Sequence, residues 1–320
     1  MGFEIVGNGS YLPKGILTND MLSSVMDTND EWILSRTGIN TRRIADGETT
    51  LFMGVEAGKL AIEEAKIPAS AISVVIVATI TNDNVLPSVA SLVQRDLGLR
   101  EDGIIAFDMN AACSGFLYAL TTAHSLLGDG EYALVIGSER ISNIIDYTDR
   151  STSILFGDGA GAVVIKKNDN KFVYRMGSVG NDEVLLCNLP NKRNYPFWGE
   201  SDTRSPYVVM DGKEVYRFAV EIGSKSIEKV LEEVKLTPDD IDCYVLHQAN
   251  ARIVKSVIKR LGQSEEKAYS NIDKCGNTSA ASIAILIDEM RKNGKMKKGD
   301  RIIICAFGGG LTYGCAYMEY

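Results

Sequence analysis

Apolar and polar residues alternate along the chain in blocks that predict strands and helices in turn. Continuous apolar runs at residues 72–79, 132–137 and 302–305 are typical of strands that are buried on both faces. Between them, residues 51–65 and 116–127 carry the apolar spacing of helices. This order of elements predicts an α/β fold with buried strands between helices.

A faint internal repeat relates two pairs of predicted strands. Residues 72–77 align with residues 241–246, and residues 132–137 align with residues 301–306, both at an offset of 169 positions. Two strand pairs that share one offset predict two similar α/β halves. By this symmetry we expect the functional residues to gather at strand ends where the halves meet.

Segments between the predicted elements suggest a hinge, a turn and a loop. The charged, Asn-rich segment 166–171 predicts a hinge that divides the chain into residues 1–170 and 171–320. The glycine-rich segment 156–161 lacks the spacing of a phosphate loop, and we interpret it as a tight turn where two layers approach closely. Residues 188–204 are rich in Pro, Asn and charge, which predicts a surface loop.

Composition and charge exclude several classes of protein. The chain is 45% apolar and 24% charged, as is common for soluble globular proteins. Its net charge of −8 argues against general nucleic-acid binding. No apolar run predicts a membrane span or a signal peptide. The six cysteines form no C-x-x-C pair, so we expect free thiols in a reducing cytoplasm and no structural metal site.

One cysteine lies between small residues at a predicted strand-to-helix turn. Cys113 follows the apolar run 103–107 and precedes the helical pattern that begins at Phe116. Free backbone N–H groups at a helix N-terminus stabilise a thiolate, which makes Cys113 a candidate nucleophile. The alternative is a buried cysteine that packs as a small hydrophobic residue.

The sequence predicts different roles for the two histidines of the chain. His124 lies 11 residues after Cys113 in the same predicted helix, about 16 Å away at 1.5 Å per residue, so we expect it to serve packing. His247 ends the predicted strand 243–246. It could be a general base, an oxyanion donor or a hydrogen-bonded core residue.

Two further turns of small residues carry candidate hydrogen-bond donors. Asn277 precedes the apolar helical pattern 283–290 and could offer an amide N–H or cap the helix. Gly308, Gly309 and Gly310 follow a predicted strand. Their backbone N–H groups could form an oxyanion hole, or the glycines could simply form a hairpin turn.

Together these segments resemble the β-ketoacyl-acyl-carrier-protein synthase III family, the initiating condensing enzymes of type II fatty acid synthesis. The resemblance covers essentially the whole chain and rests on residues 30–39, 110–116, 148–150, 156–161, 247–250, 276–282 and 307–310. It implies a thiolase-like fold with two duplicated halves in αβαβα layers, in agreement with the internal repeat.

The resemblance implies a ping-pong acyltransferase reaction that uses coenzyme A thioesters as substrates and no cofactor. Cys113 would take an acyl group from CoA, and malonyl-acyl carrier protein would then lose CO₂ and attack the acyl-cysteine. His247 and Asn277 would donate hydrogen bonds to the malonyl thioester oxygen. The backbone N–H groups of Cys113 and Gly309 would hold the oxyanion at the acyl carbonyl.

The resemblance also implies residues that bind coenzyme A. Trp32 would stack on the adenine, while Arg36 and Arg150 would meet the phosphates. Asn250 and Phe307 would lie at the same substrate site.

Two surfaces are implied for protein partners. Arg252, Lys255 and Lys259 cluster near one face of a predicted helix, which suits an acidic acyl carrier protein. Leu86 stands where several relatives carry an aromatic residue, in a loop that crosses a homodimer interface in the family. A leucine there leaves the primer pocket open to longer or branched acyl groups as well as acetyl.

Three alternatives remain beside this hypothesis. Cysteine peptidases of the papain type also use Cys, His and Asn, but their C-G-[SA]-C-[WY] signature is absent. A related synthase of a specialised pathway could use another acyl acceptor, and a thiolase-fold protein could bind acyl-CoA without catalysis. Chain-elongating relatives use Cys-His-His and thiolases use a second cysteine, so the Cys-His-Asn set favours the decarboxylating initiator.

Overall fold

The computed structural model describes residues 2–188 and 205–320, so the loop predicted over residues 188–204 lies, apart from Asn188, outside the described residues. The strands are β1 (Gly2–Tyr11), β2 (Gly15–Thr18), β3 (Thr41–Ile44), β4 (Ile72–Ala78), β5 (Ile105–Met109), β6 (Tyr132–Glu139), β7 (Gly159–Asn168), β8 (Phe172–Asn181), β9 (Leu185–Cys187), β10 (Val208–Met210), β11 (Cys243–Leu246), β12 (Arg301–Gly308) and β13 (Gly310–Glu319). The α-helices are α1 (Asn19–Ser23), α2 (Asp30–Thr37), α3 (Thr50–Ala65), α4 (Val89–Asp96), α5 (Gly115–Leu126), α6 (Arg150–Ser153), α7 (Gly212–Val234), α8 (Ala251–Arg260), α9 (Ile272–Cys275) and α10 (Ser282–Lys292).

Two large sheets repeat one strand order. The first runs β1-β7-β6-β4-β5 and the second runs β8-β13-β12-β11. In the parallel pair β4–β6, Val74 is paired with Ala133, and in the parallel pair β11–β12, Cys243 is paired with Ile302. Val74 and Cys243 are 169 positions apart in sequence, and so are Ala133 and Ile302. The strand pairs of the two sheets therefore reproduce the predicted offset residue by residue. The repeat predicted from the sequence is confirmed.

Helices follow the same repeat. The counterparts α3 and α7 both end at a lysine in the left-handed conformation, Lys66 with φ 54° and Lys235 with φ 60°. Strand β7 of the first sheet and strand β8 of the second lie on either side of residue 170. The division into residues 1–170 and 171–320 and its hinge remain a prediction.

The two sheets and their helices stack in five layers. Helices α5 and α10 lie between the sheets, and their apolar side chains form the central core with β4, β6, β7, β11 and β12. Helices α3 and α4 cover the outer face of the first sheet, and α7 and α8 cover that of the second. Because both sheets have helices on each face, their central strands are apolar on both sides. The predicted thiolase-like αβαβα fold is confirmed.

Glycines in the first sheet allow the layers to approach. A Cβ atom on Gly137 in β6 would lie 2.4 Å from the carbonyl oxygen of Ala280, and one on Gly161 in β7 would lie 2.4 Å from the backbone nitrogen of Ile285. The turn predicted over residues 156–161 is therefore wrong in form, because Gly159 and Gly161 lie inside β7. The close approach of two layers at this segment is confirmed.

Cysteine pairing, membrane spans and metal clusters can be checked directly in the structure. All six cysteines are free thiols, as predicted. Within residues 2–188 and 205–320, no helix is both long enough and apolar enough to cross a bilayer. The same residues contain no group of three His, Cys, Asp or Glu side chains placed to hold a metal ion. The cytoplasmic location remains a prediction.

We predict that Gly137→Ala destabilises the protein, because the new methyl group would meet a backbone carbonyl that cannot move freely. The expected loss in the free energy of unfolding is about 1–3 kcal/mol, as for an overpacked core. Gly54→Ala is the matched control, since a Cβ there makes ordinary contacts of 3.5 Å with Ser138 and alanine favours a helix interior by about 1 kcal/mol. Urea denaturation measures both variants. Equal stability of the two variants would contradict the predicted clash.

Candidate active site

Cys113 lies in a 3-10 turn, Ala112–Ser114, that joins β5 to the start of α5. The residue is 9% exposed. Ala112 has φ 46°, a left-handed conformation that costs a residue with a Cβ about 1–2 kcal/mol. The turn is crowded from the second sheet, where a Cβ on Gly308 would lie 2.7 Å from the Cys113 nitrogen. Glycine at the end of β12 is therefore needed to bring the hairpin of residues 308–310 against the cysteine.

A second turn of the same design begins α10. Ser279 has φ 49° and begins the 3-10 turn Ser279–Ala281, as Ala112 begins the turn that carries Cys113. In each turn an asparagine two residues earlier accepts the backbone N–H of the left-handed residue. The distances are 3.2 Å from Ala112 to Asn110 Oδ1 and 2.9 Å from Ser279 to Asn277 Oδ1. The two halves thus repeat this turn as well as their strands.

The Asn277 side chain keeps one hydrogen-bonding group free for a ligand. Its backbone is fixed to the segment 155–157, because its N–H donates to the Leu155 carbonyl at 2.8 Å and its carbonyl accepts the Gly157 N–H at 3.0 Å. Its Oδ1 atom is occupied by the Ser279 N–H. No hydrogen bond from Nδ2 is found within residues 2–188 and 205–320, so this amide group can donate to a bound substrate.

His247 follows β11 and is fixed by its backbone and its ring. Its N–H donates to the Cys305 carbonyl at 2.9 Å, and its Nδ1 atom lies 2.6 Å from Ser282 Oγ. That hydroxyl also accepts the Gln248 N–H at 3.5 Å, which leaves its own proton for Nδ1. We therefore assign the ring proton to Nε2, so that His247 is a hydrogen-bond donor at its other end. The Phe307 ring lies edge-on, with centroids 5.5 Å apart.

Cys113, His247, Asn277 and Phe307 line one cavity of about 510 Å³. The charged side chains at the same cavity are Arg36, Lys213 and Arg252, and its polar side chains include Asn250. The structure thus brings the three predicted catalytic side chains together, although the sequence separates them by up to 164 positions.

A second cavity, of about 860 Å³, meets the first at the cysteine. Gly309 lines this second cavity together with Cys113. The apolar residues around it come from several loops and strands: Ile80, Ile141, Ile144, Phe156, Leu185 and Val208. Both linings are mainly apolar, and Asp182 adds a charged group to the second, so Cys113 lies in the wall between two cavities that differ in the residues around them.

Burial sets the protonation states in the site. It raises the pKa of the Cys113 thiol to about 12, with a further rise from the negative charge of Glu139 and a partial offset from the Ser279 hydrogen bond. Desolvation therefore opposes the stabilisation that a helix N-terminus offers a thiolate. His247 is 1% exposed, and burial lowers its pKa to about 3. The resting site thus holds a neutral thiol and a neutral imidazole.

His124 takes the packing role that the sequence predicts. Its ring lies 5.7 Å from the Phe3 ring and 5.1 Å from the Phe172 ring, measured between centroids. Burial and the neighbouring Lys167 lower its pKa to about 4. Within the described residues, His247 is therefore the histidine that reaches Cys113's cavity.

The predicted coenzyme A residues form a stack on the surface. The guanidinium groups of Arg36 and Arg150 lie 4.5 Å and 4.6 Å from the centre of the Trp32 ring. Arg150 also donates to the Asp27 carbonyl at 2.6 Å. Asn250 caps α8, where its Oδ1 accepts the Arg252 N–H, and its Nδ2 donates to the Arg36 carbonyl at 3.0 Å. Asn250 thereby connects α8 to the end of α2.

The predicted basic residues lie on the exposed face of α8, and α7 adds two more beside them. Lys255 forms an exposed ion pair with Glu265 at 3.2 Å, which contributes little stability. Lys259 lines a groove between α7 and α8 that also contains Lys213 and Arg217. These two α7 residues could not be recognised from the sequence, because they lie 39 and 35 positions before Arg252.

Leu86 lies on the surface near β5, the edge strand of the first sheet in the described part of the chain. It is 83% exposed and its neighbour Val85 is 96% exposed. The loop leads into α4, whose first N–H groups are capped by Asp108 of β5. Strand β5 is the outermost strand of the first sheet.

Three polar residues beside Cys113 and His247 were not recognised from the sequence as functional. Ser279 Oγ lies 3.5 Å from Cys113 Sγ, Glu139 accepts from Ser279, and Ser282 contacts His247. Both serines belong to the small-residue segment 276–282. The available signal for Glu139 is a charged residue at the end of an otherwise apolar strand.

Comparisons with known proteins agree with this geometry. The family model described as 3-oxoacyl-[acyl-carrier-protein (ACP)] synthase III matches residues 107–180, and the model of its C-terminal part matches residues 231–320. The β-ketoacyl-[acyl-carrier-protein] synthase III of Clostridium acetobutylicum is 45% identical over 99% of this chain and 98% of that protein. That of Acholeplasma laidlawii is 47% identical with the same coverage. The crystal structure of 3-oxoacyl-[acyl-carrier-protein] synthase III from Aquifex aeolicus superposes with a TM-score of 0.92 at 42% identity, and covers 100% of both chains.

Proposed function

The chain belongs to the 3-oxoacyl-[acyl-carrier-protein] synthase III family, and we propose that Cys113, His247 and Asn277 carry out its reaction. This acyltransferase initiates fatty acid synthesis by condensing an acyl-CoA primer with malonyl-acyl carrier protein, with release of CoA and CO₂. The observation that carries the assignment is the convergence of these three side chains on one cavity. A specialised pathway is not favoured, because full-length relatives at 44–47% identity share the synthase III name.

In the first half-reaction, the Cys113 sulfur attacks the thioester carbonyl of the primer. A sulfur nucleophile suits this step because it attacks a thioester readily and leaves readily afterwards. The backbone N–H groups of Cys113 and Gly309 stabilise the oxyanion. The close approach of the hairpin 308–310 to the cysteine turn supports this pairing of donors.

In the second half-reaction, negative charge develops on the malonyl thioester oxygen as CO₂ leaves. His247 donates to that oxygen from Nε2 and Asn277 donates from Nδ2. A low histidine pKa supports this role, because the imidazole stays a neutral donor throughout the physiological range. Decarboxylation itself supplies the carbanion, so the condensation needs no strong base.

The second cavity receives the acyl chain of the primer. Its apolar lining and its position beyond Cys113 support this use. The exposed Leu86 loop and the position of β5 at the edge of the first sheet, as far as the chain is described, support a homodimer in which the loop reaches the partner's primer cavity. A leucine in that loop fills less volume than an aromatic residue would, which favours longer or branched primers as well as acetyl-CoA.

The surface stack at Trp32 receives the coenzyme A nucleotide. The adenine stacks on the Trp32 ring in place of one of the two guanidinium groups that cover it. Arg36 and Arg150 then remain close enough to meet the phosphates. Asn250, which caps α8, and Phe307, which lies in β12, line the first cavity together with Arg36.

The acyl carrier protein docks on the basic face of α8. Arg252, Lys255 and Lys259 attract an acidic partner despite the net charge of −8. The groove toward α7 adds Lys213 and Arg217. Both helices border the first cavity, so a carrier bound there can deliver its malonyl thioester to Asn277 and His247.

Cys113→Ser tests the covalent intermediate. Wild-type protein incubated with acyl-CoA alone should gain the mass of one acyl group on Cys113, as measured by intact-mass and peptide analysis. The serine variant should gain none, because its hydroxyl is a much weaker nucleophile. An unmodified wild-type protein, or an equal adduct on the variant, would contradict the proposal. Acetyl, isobutyryl and longer CoA primers in the same assay would define the primer range.

Asn277→Ala separates the two half-reactions. Loss of the Nδ2 donor should slow malonyl decarboxylation by about 100-fold, the effect of removing one oxyanion donor. Self-acylation measured by mass should change by less than about tenfold. Equal losses in both steps would indicate that Asn277 only maintains the turn that holds Ser279.

Lys259→Glu tests the carrier surface. Reversal of one exposed charge should raise the KM for malonyl-acyl carrier protein by about tenfold at low salt, with a smaller effect at high salt. The KM for the acyl-CoA primer should not change, because Lys259 does not line the first cavity. Lys229→Glu, an equal charge change on an exposed position of α7, is the control. The same KM in both variants would contradict docking on α8.

A further inference from the structure

A chain of hydrogen bonds leads from the nucleophile to a buried carboxyl group. Cys113 Sγ donates to Ser279 Oγ at 3.5 Å, and Ser279 Oγ donates to Glu139 Oε1 at 3.1 Å. Glu139 ends β6 and is 0% exposed. The condensation mechanism described above makes no use of this carboxyl group.

The hydrogen bonds around the carboxyl group assign the protons of the neighbouring hydroxyl groups to it. Thr79 Oγ1 accepts the Thr81 N–H at 3.1 Å, and Thr81 Oγ1 accepts the Arg140 N–H at 2.9 Å. Each hydroxyl can therefore give its own proton to Glu139 Oε2, at 3.2 Å and 2.6 Å. Oε1 receives only the Ser279 hydroxyl among the described residues. The network is thus polarised from the thiol toward a proton acceptor.

Glu139 is a better proton acceptor than the histidine of the site. Burial raises its pKa to about 7, with partial offsets from the hydroxyl groups and the Ile80 N–H. No ion pair to Glu139 is found in residues 2–188 and 205–320. The elements packed around it present threonine and serine hydroxyls, and the titratable group beyond them is the Cys113 thiol. His247, with a pKa near 3, is a weak base by comparison.

Building on the proposed function, we propose that Glu139 takes the Cys113 proton through Ser279 during acylation and stores it until condensation. As the bond from sulfur to the acyl carbon forms, the thiol proton moves to Ser279 Oγ and the serine proton moves to Glu139 Oε1. The bond from the acyl carbon to the CoA sulfur then breaks. CoA leaves as a thiolate and takes its proton from solvent.

Condensation reverses the transfer. The malonyl-derived carbanion attacks the acyl carbon, and Cys113 leaves as a thiolate. Glu139 returns the stored proton through Ser279, which restores the neutral thiol and the carboxylate. Over the cycle one solvent proton is consumed, by the CoA thiolate. In the acyl-enzyme Glu139 is uncharged, so no buried carboxylate opposes the carbanion.

Difference infrared spectroscopy of wild-type protein tests the stored proton directly. Acylation by acyl-CoA at about pH 8, above the Glu139 pKa of about 7, should produce a protonated-carboxyl band that shifts in D₂O. Glu139→Gln should lack the band. Full acylation by intact mass without the band would overturn the relay, while absence of any acyl adduct would instead overturn the proposed function.

Single-turnover acylation across pH provides the kinetic test. In wild type the rate should rise through about pH 7 as Glu139 ionises. Glu139→Gln and Ser279→Gly should acylate about 100-fold more slowly at pH 8 and lose this rise. Glycine suits the φ of 49° at position 279 and keeps the backbone N–H bond to Asn277. A faster Glu139→Gln, expected if Glu139 acted only by its charge on the thiol, would overturn the relay.

Thr79→Val serves as the matched control. It removes a donor to Glu139 Oε2 but leaves the path from Cys113 through Ser279 to Oε1 intact. The rise in rate with pH should therefore persist with its midpoint moved upward, because one stabilising hydrogen bond to the carboxylate is lost. A complete loss of the rise in Thr79→Val would contradict the assigned path.

Discussion

The site depends on the contact between two turns that begin the central helices. Helices α5 and α10 start next to each other between the sheets, and their 3-10 turns carry Cys113 and Ser279. Only small side chains permit this contact. A Cβ on Gly115 would lie 3.5 Å from the Ala280 Cβ, and one on Gly137 would lie 2.4 Å from the Ala280 carbonyl oxygen. Larger residues at this contact would separate the nucleophile from the Asn277 turn.

Burial at this contact also determines the chemistry. It raises the pKa of the Cys113 thiol and lowers that of His247, so both groups are neutral before substrate binds. Fixed neutral donors interact strongly with charge that develops in a dry site, because no water competes for them. Acylation, however, requires the thiol to lose its proton. A buried carboxyl group linked to the sulfur by one hydroxyl meets that need without a permanent ion pair.

Local patterns in the sequence predict elements well and contacts poorly. Apolar runs predict the central strands, and the offset of 169 positions predicts the duplicated sheets, because strand burial and repeats are properties of adjacent residues. The glycines at 156–161 predict a turn where the structure has the start of β7, since a missing side chain suits a turn and a close contact between layers equally well. The contact of Glu139 with Ser279 joins residues 140 positions apart. No local sequence pattern predicts this contact. The stacking of Arg150 on Trp32 also joins residues that are far apart in sequence.

The duplication explains how the two halves divide the chemistry. At the offset of 169, His247 corresponds to Ala78 and Glu139 corresponds to Gly308, while the helix-start turns match Cys113 with Ala280. In each pair, one half supplies the reactive or titratable side chain and the other supplies a small residue. Two of those small residues make room at the turns: Gly308 lies against the Cys113 backbone, and Ala280 lies against Gly137 and Gly115. The two halves pack tightly against each other at these turns. Bulky side chains could therefore not be accommodated at corresponding positions in both halves. Asymmetry between the repeats is therefore a packing requirement of the site.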